Sequence, residues 1–330
     1  MPDVLSAELR ARRPHCGVVP SGGIVSCPAK LRKSSKAGAN VGRTINLTRV
    51  GVLMTVLAAE PAGSWQPTQA TRSDVVLPDA HSFLLAGGQL AGSYRVFVAL
   101  PPSYQSNLAQ RYPVLYTLDA NGGFPLITQT YRIIRVDGAT PDLIIVGIGY
   151  EGTAGERRAF RERDLTPTRV PADSNTGGSK AFLAFVADTL IPYIDSNYRT
   201  VPSDRILHGH SLGGLFVLYT LFHQPDLFHR YIASSPSLWW DHAAILQTEA
   251  QFAKRQGPLA KSVFLSVGSD EPDDMRQHFK PLVDGLRSRN YSGFKLDAVV
   301  MSGEDHLSVI GPAFVRGLRA VFRTEISQRR

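Results

Sequence analysis

The chain has 330 residues, of which 43% are hydrophobic and 19% charged, a composition that is typical of globular proteins and excludes a fibrous or wholly disordered chain. Its formal net charge of +8 is concentrated at one end, since residues 1–53 hold nine of the 36 basic residues and two of the 28 acidic ones. The remainder is nearly neutral, so we expect no nucleic-acid partner. Both cysteines, Cys16 and Cys27, lie in the basic end and leave the rest without a disulfide framework or a cysteine-ligated metal site.

Residues 1–79 are predicted to form a disordered basic tail before a folded domain that spans 80–330, because the first 49 residues show no sustained apolar period. Within the tail, residues 50–59 form a short apolar run that resembles the core of a signal peptide. Two interpretations stay open. Either this run exports the protein to the periplasm or beyond, or the biological chain starts near Met54 and the protein is cytoplasmic. The run is too short to cross a bilayer as a helix, so no stable membrane span is expected.

Apolar runs alternate with helical patterns from residue 80 onward. Two antiparallel strands come first, at 82–85 and 94–100, joined through a glycine pair. Continuous apolar runs then predict buried parallel strands, and periodic segments between them predict helices. The predicted strands are 112–118, 143–149, a run around 206–207, 231–235, 261–267 and 294–301; the predicted helices are 126–136, 179–197, the segment after Ser211, 242–256, 273–289 and a last one to about 323. This order predicts an α/β fold with a mostly parallel, doubly wound sheet and an antiparallel N-terminal strand pair.

The segment Glu151–Gly178 interrupts this alternation. It is polar and carries several arginines close together. About 28 residues between a strand and a helix exceed what a connection needs. We therefore predict a functional loop or lid here, with a solvated surface loop as the alternative.

The pentapeptide Gly209-His-Ser-Leu-Gly213 lies between an apolar strand and a segment with helical spacing. A serine on a sharp strand-to-helix turn needs small residues two positions away on either side, and both glycines meet this need. That order is the nucleophile elbow of the α/β-hydrolase fold. The turn exposes the Ser211 hydroxyl at the carboxyl edge of the sheet, where the amide of Leu212 can face an oxyanion. An ordinary turn without chemistry would not require these flanks.

A nucleophilic serine needs an imidazole to take its proton and a carboxylate to orient that imidazole. Of the nine histidines, His306 follows the last predicted strand, downstream of serine and acid, as the chain order of this fold requires. The acid is predicted at Glu271, with Asp270 as the second choice. The other nearby carboxylates, Asp273 and Asp274 among them, are explained as residues at a helix N-terminus.

Five blocks of sequence occur in an order that resembles the putative-esterase family of α/β-hydrolases, and most of all its enterobactin-type (catecholate trilactone) siderophore esterases. The blocks are residues 112–119, 163–167, 209–216, 225–228 and 235–240. The resemblance runs from about Ala80 to the C-terminus. It implies Ser211 as nucleophile, His306 as base, and the amides of Leu212 and Ala120 as the oxyanion hole; the family usually has glycine where Ala120 stands. Some esterases of this type are thought to use a serine–histidine pair alone, which leaves the role of Glu271 open.

The implied function is a serine carboxylester hydrolase that forms an acyl-enzyme on a small-molecule ester and needs no metal or cofactor. An acyltransferase, a feruloyl-type or short-chain carboxylesterase, and a non-catalytic binding protein on the same scaffold are the alternatives.

The substrate is predicted from side chains expected at the same edge of the sheet, Trp239, Trp240, Arg161 and Arg163. Aromatic faces stack on flat rings and guanidinium groups pair with phenolate or carboxylate oxygens. These side chains would suit an aromatic, partly anionic acyl group such as a catechoyl or hydroxycinnamoyl ester. The alternative is that the tryptophans are core residues and the arginines are solvated.

Overall fold

An eight-stranded β-sheet forms the centre of the part of the chain that the computed structural model describes, which is residues 74–328 without 89, 91 and 256. The strands are β1 (Ala80–Ala86), β2 (Ser93–Ala99), β3 (Tyr112–Thr117), β4 (Ile144–Tyr150), β5 (Thr200–His210), β6 (Arg230–Ser234), β7 (Ser262–Gly268) and β8 (Lys295–Met301). They lie in the order β1-β2-β4-β3-β5-β6-β7-β8. Strand β2 is antiparallel to both of its neighbours, and the other neighbouring pairs are parallel.

Helices connect the parallel strands. They are α1 (Ser103–Ser106), α2 (Ala120–Ile134), α3 (Ala154–Leu165), α4 (Ser179–Phe185), α5 (Ile191–Asn197), α6 (Leu212–His223), α7 (Trp240–Arg255), α8 (Asp273–Arg276), α9 (Phe279–Ser288) and α10 (Ile310–Gln328). A π-helical segment, Val186–Leu190, joins α4 to α5 without a break.

The hydrophobic core lies on both faces of the sheet. Strand β4 is apolar almost throughout and each of its residues is buried, as a parallel strand covered on both sides requires. Helix α6 packs on one face, and α10 packs on the other with Phe314 against the sheet. Gly317 allows α10 this close approach, since a Cβ there would lie 2.6 Å from Ile232 Cγ2. The arrangement is a doubly wound α/β sheet.

The predicted fold class is confirmed. The antiparallel pair β1–β2 is followed by parallel strands at the predicted places, and the helix predicted over 179–197 is present as the continuous α4, π-helical and α5 run. Ser211 follows β5 directly and precedes α6, in the strand–turn–helix order that the elbow predicts.

The prediction of an irregular loop over Glu151–Gly178 is wrong for its first half, because α3 occupies Ala154–Leu165. This helix is too polar to show an apolar period. A capping box starts it: Thr153 Oγ1 accepts from the Glu156 amide, and the Glu156 carboxylate accepts from the Thr153 amide. That signal was present in the sequence, in the spacing of Thr153 and Glu156.

Two other helices differ from their predicted bounds. Helix α2 begins at Ala120 rather than near Leu126. The sequence Gly122-Gly123 resembles a turn, but both glycines lie in the first turn of the helix, with open space around their α-carbons. The helix predicted over 273–289 is two helices, α8 and α9, with a break between them at 277–278.

The predicted tail falls mostly outside the described residues, which begin at 74, and so does the signal-like run 50–59. Strand β1 begins at Ala80. Among the described helices, none is both long and apolar enough to cross a membrane.

Candidate active site

Ser211 occupies a sharp turn at the carboxyl end of β5. Its backbone has φ 60° and ψ −122°, a conformation that residues other than glycine rarely adopt. The turn closes because Gly209 has no side chain: a Cβ there would lie 2.4 Å from the carbonyl carbon and oxygen of Gly213. Gly214 in turn lets α6 approach the backbone of the segment after β6, with the carbonyl oxygen of Ser234 2.9 Å from its would-be Cβ. The nucleophile elbow is therefore enforced by backbone contacts.

A continuous hydrogen-bonded relay starts from this serine. Ser211 Oγ lies 3.1 Å from His306 Nε2, and His306 Nδ1 lies 2.8 Å from a carboxylate oxygen of Glu271. The three side chains come from the loops after β5, β8 and β7, which end at the same edge of the sheet. The His306 side chain is 30% exposed, whereas that of Glu271 is fully buried. The imidazole can therefore reach both the serine and a substrate, while the carboxylate contacts only protein.

Glu271 rather than its neighbour Asp270 contacts the histidine. One Glu271 carboxylate oxygen accepts from the Gly268 amide at 2.7 Å and from the Ser235 hydroxyl at 2.5 Å, leaving the other for His306. Burial raises the pKa of Glu271, but the hydrogen bonds from His306, Ser235 and Gly268 outweigh it and hold the pKa below its usual value. The carboxylate is thus kept ionised, as an orienting acid must be. Asp270 is exposed and pairs with the hydroxyl of Ser269.

A second histidine lies beside the first. The His210 ring packs against the His306 ring with the centroids 4.6 Å apart, and its Nδ1 is 3.4 Å from Ser234 Oγ. Burial, and then the charge of a protonated His306, lower the pKa of His210 to about 3. His210 is therefore neutral at physiological pH and adds no charge that would compete with His306.

The two amides predicted for an oxyanion hole belong to the first residues of the helices that follow the adjacent strands β3 and β5. Leu212 is the first residue of α6 and Ala120 the first of α2, so neither amide has a partner within its own helix. The helix dipoles favour negative charge at both places. The methyl group of Ala120 fits because the facing residue on β4, Gly147, has no side chain. A Cβ on Gly147 would lie 2.7 Å from the Cβ of Ala120.

The two predicted substrate-binding arginines both pair with carboxylates of the protein. Arg161, on α3, holds Asp119 through two bonds, Nε to Oδ1 at 2.6 Å and Nη2 to Oδ2 at 3.0 Å. Arg163 donates from Nε to the buried Asp164 at 2.7 Å, and its Nη2 lies 3.3 Å from the hydroxyl of Tyr94. The latter cluster fixes the end of α3 to the core. Both arginines therefore have protein partners, and a contact of either one with substrate stays a prediction.

The two tryptophans differ in their surroundings. Trp239 is 40% exposed, and its Nε1 lies 3.0 Å from Met275 Sδ. Trp240 is half-buried and donates to Thr168 Oγ1 at 3.1 Å, which ties the segment after α3 to the start of α7. Trp239 therefore presents an aromatic face to solvent, whereas Trp240 links two segments of the protein.

Sequence reasoning missed two serines that contact the relay. Ser235 donates to Glu271, and Ser237 Oγ lies 3.3 Å from Ser211 Oγ. Both are buried in the segment that directly follows β6, the neighbour of the elbow strand. The signal was the cluster Ser234-Ser-Pro-Ser237 at a strand end beside the elbow. Within the described residues, no group of three or more His, Cys, Asp or Glu side chains could hold a metal ion.

The chain resembles curated siderophore esterases along most of its length. It is 31% identical to the ferri-bacillibactin esterase BesA of Bacillus subtilis, over 76% of this chain and 91% of that protein. It is 30% identical to the siderophore triacetylfusarinine C esterase of Aspergillus fumigatus, over 75% of this chain and 94% of that protein.

Solved structures with the same fold include the BES protein from Bacillus cereus, with a TM-score of 0.70, 28% identity, and coverage of 77% of this chain and 98% of that one. The siderophore hydrolase EstA from Aspergillus nidulans has a TM-score of 0.67 and 26% identity, with coverage of 78% and 99%. The family model described as "Putative esterase" matches residues 87–290. The chain therefore belongs to the putative-esterase family and is a hydrolase of ester bonds.

Proposed function

We propose that the protein is a serine carboxylester hydrolase in which Ser211, His306 and Glu271 act as a catalytic triad. The observation that carries the proposal is the unbroken relay from the Ser211 hydroxyl through both nitrogens of His306 to a buried, ionised carboxylate. An imidazole whose Nδ1–H is bound by a carboxylate presents its Nε2 lone pair to the serine, which is the tautomer that proton abstraction needs.

The reaction proceeds in two halves. His306 Nε2 takes the hydroxyl proton as Ser211 Oγ attacks the ester carbonyl, and the amides of Leu212 and Ala120 hydrogen-bond the oxyanion. His306 then returns the proton to the departing alcohol, which leaves the acyl group esterified to Ser211. Water attacks this ester with His306 again as base, and the carboxylic acid departs with the serine hydroxyl restored.

The replacement Ser211→Ala tests this mechanism. It should abolish hydrolysis of p-nitrophenyl butyrate, with a loss on the order of 10⁶ in kcat, and abolish covalent labelling by a fluorophosphonate. His306→Ala should behave in the same way. Ser203→Ala, at the opposite end of β5 and exposed, is the matched control and should keep full activity and labelling. Activity of Ser211→Ala within tenfold of the parent would rule out the assignment.

For the substrate, we propose a siderophore ester or another aromatic acyl ester. Relatives similar to this chain are named as esterases of ferri-bacillibactin, triacetylfusarinine C and enterobactin. The exposed Trp239 supports an aromatic acyl group, because Ser237, two residues before it, has its Oγ 3.3 Å from Ser211 Oγ.

Replacement of Trp239 by alanine tests the substrate proposal. We expect kcat/KM for a catecholate trilactone to fall about 3- to 10-fold relative to that for p-nitrophenyl butyrate, the range that an aromatic pair contributes. Ile133→Ala, which removes an exposed apolar side chain from the outer face of α2, should leave the ratio unchanged. An unchanged ratio for Trp239→Ala would remove the structural support for an aromatic acyl group.

A further inference from the structure

We propose that Arg161 acts on catalysis through Asp119: it holds the Asp119 carboxylate away from the first turn of α2 and so keeps the Ala120 amide available to the oxyanion. Arg161 is then a positioning residue rather than a ligand of the substrate. The inference rests on the proposed function, because it concerns half of the oxyanion hole of that mechanism. We call the ion pair of these two side chains the Asp119–Arg161 clamp.

Asp119 occupies the N-cap position of α2, but its side chain accepts no hydrogen bond from the amides of the first helical turn. It immediately precedes α2, its carbonyl accepts from the Gly123 amide at 3.1 Å, and its backbone is left-handed at φ 57°. An aspartate at this place ordinarily accepts from the amides of the first helical turn, because these lack intrahelical partners. Here the carboxylate makes no such bond and is bound by Arg161 instead.

The location of the carboxylate explains why this matters. A capping carboxylate on α2 would place a full negative charge beside the Ala120 amide, in the space where the reaction develops its own negative charge. Amide donors stabilise an oxyanion only when they are free and preorganised toward it. A neighbouring anion would both occupy the donors and repel the charge that they are meant to stabilise.

In the structure the carboxylate lies instead against the elbow helix. Asp119 Oδ2 is 3.3 Å from the position that a Cβ of Gly213 would take, so it packs beside the first turn of α6. The fork of Arg161 fits both carboxylate oxygens, and a planar bidentate pair of this kind fixes orientation as well as distance. The side chains of Arg161 and Asp119 are 29% and 31% exposed, so the ion pair is partly shielded from solvent.

The neighbouring residues hold both ends of the clamp. On the α2 side, the Asn121 side chain accepts from the Tyr150 amide at 2.7 Å and donates to the Tyr150 carbonyl at 2.9 Å. On the other side, α3 is fixed at its start by the Thr153 capping box and at its end by the bond from Tyr94 to the buried Asp164. The polar helix that periodicity failed to detect thus carries an arginine to the edge of the oxyanion hole.

The two roles open to Arg161 predict different kinetics. An arginine that binds an anionic substrate should change KM for that substrate and leave a neutral ester unaffected. An arginine that restrains Asp119 should change kcat for both, since the oxyanion is common to all esters. Its loss should also be relieved by removing Asp119, because the harm comes from the carboxylate that is released.

The experiment compares Arg161→Ala, Arg161→Lys, Asp119→Ala and the double variant Arg161→Ala/Asp119→Ala, using p-nitrophenyl butyrate and a catecholate trilactone. We expect Arg161→Ala to lower kcat between about 10-fold and 10³-fold on both esters with KM within threefold, the upper limit being full loss of one oxyanion donor. Arg161→Lys, which keeps the charge and loses the fork, should lie between it and the parent. The kcat of the double variant should be at least about tenfold higher than that of Arg161→Ala.

Two further measurements and a control variant make the outcome decisive. Inhibition by a boronic acid, whose tetrahedral adduct places an oxygen in the oxyanion hole, should weaken in Arg161→Ala and recover in the double variant. Arg158→Ala is the control, because Arg158 lies on the same helix and its side chain is 79% exposed. It should change neither kcat nor the inhibition by the boronic acid. Thermal midpoints identify any variant that is poorly folded, in which case Arg161→Lys carries the comparison.

The proposal is overturned if the double variant is no better than Arg161→Ala, or if the loss lies in KM for the trilactone alone. Fluorophosphonate labelling of the parent at Ser211 separates the two levels of inference: its absence refutes the proposed mechanism, whereas labelling without recovery refutes only the clamp.

Discussion

At the scale of single residues, the acid shows how much of the site depends on contacts that sequence spacing does not contain. Glu271 and Asp270 are adjacent, and both follow β7. Only Glu271 points inward, where its carboxylate accepts from the Gly268 amide, whereas Asp270 is exposed. Gly268 itself has no room for a side chain, since a Cβ there would lie 2.2 Å from the carbonyl oxygen of Glu304. The chain is packed tightly at this turn, and the buried carboxylate is held by donors from three different segments.

Replacing Glu271 by glutamine should lower kcat for p-nitrophenyl butyrate by roughly 10²- to 10⁴-fold, because the amide no longer fixes the His306 tautomer or stabilises its charge. Asp270→Asn is the matched control, since Asp270 is exposed and its side chain accepts from the hydroxyl of the neighbouring Ser269. It should retain activity within about twofold. Equal activity of Glu271→Gln and the parent would mean that Ser211 and His306 work as a pair without an acid.

At the scale of elements, the site is built from three neighbouring turns that each hold a side-chain-bearing residue at positive φ. They are Asp119 after β3 at 57°, Ser211 after β5 at 60° and Ser235 after β6 at 43°. Such conformations cost on the order of 1–3 kcal/mol each and persist only where the surroundings enforce them. These strands are adjacent in the sheet, so the strain is concentrated at the edge where the chemistry is proposed.

The elbow turn gives a stability prediction. Gly209→Ala should lower the free energy of unfolding by about 3 kcal/mol or more, because the added Cβ meets the backbone of Gly213, which cannot move without opening the turn. Gly311→Ala, in α10 with open space around its α-carbon, should be neutral or stabilise by up to about 1 kcal/mol. Urea unfolding curves measure both. Equal midpoints for the two variants would show that the elbow tolerates a side chain.

Elements with a strong apolar period could be predicted from that period, whereas α3, which polar contacts hold, left only its capping box as a signal in the sequence. Strand β4 and the α4–α5 run were recognisable because burial on both faces, or on one stripe, leaves a pattern. Helix α3 has no such stripe, and its bonds reach residues far away in sequence, as Arg161 does to Asp119. Ser211 and His306 could be predicted as nucleophile and base from chain order, whereas the Ser235 donor and the Asp119–Arg161 clamp follow only from three-dimensional neighbours.

At the scale of the whole molecule, stability should depend on pH through two histidines of β5, the buried His208 and the partly buried His210. His208 lies in β5, its Nδ1 is 2.9 Å from Thr117 Oγ1, and burial lowers its pKa from 6.5 to about 4. His210 follows in the same strand with a pKa of about 3. Glu271, with a lowered pKa, acts in the same direction, and Asp164, whose pKa burial raises, acts in the opposite one.

The sign of the effect follows from which state binds the proton. Between pH 6.5 and about 4 the unfolded chain protonates His208 while the folded protein does not, so the unfolded state is stabilised relative to the folded one as the pH falls. At about 1.4 kcal/mol per pKa unit, this one group should remove roughly 2–3 kcal/mol of stability between pH 7 and pH 4.5. The loss should be complete below the folded-state pKa of about 4.

His208→Gln tests this dependence, because the amide can still bond Thr117 but does not titrate. We expect the difference in free energy of unfolding between pH 7 and pH 4.5, measured by urea denaturation, to shrink by roughly 2 kcal/mol in the variant. His278→Gln, which removes a half-exposed imidazole at the start of α9, should leave the difference unchanged. If His208→Gln loses as much stability on acidification as the parent, the buried imidazole is not the group that opposes folding at low pH.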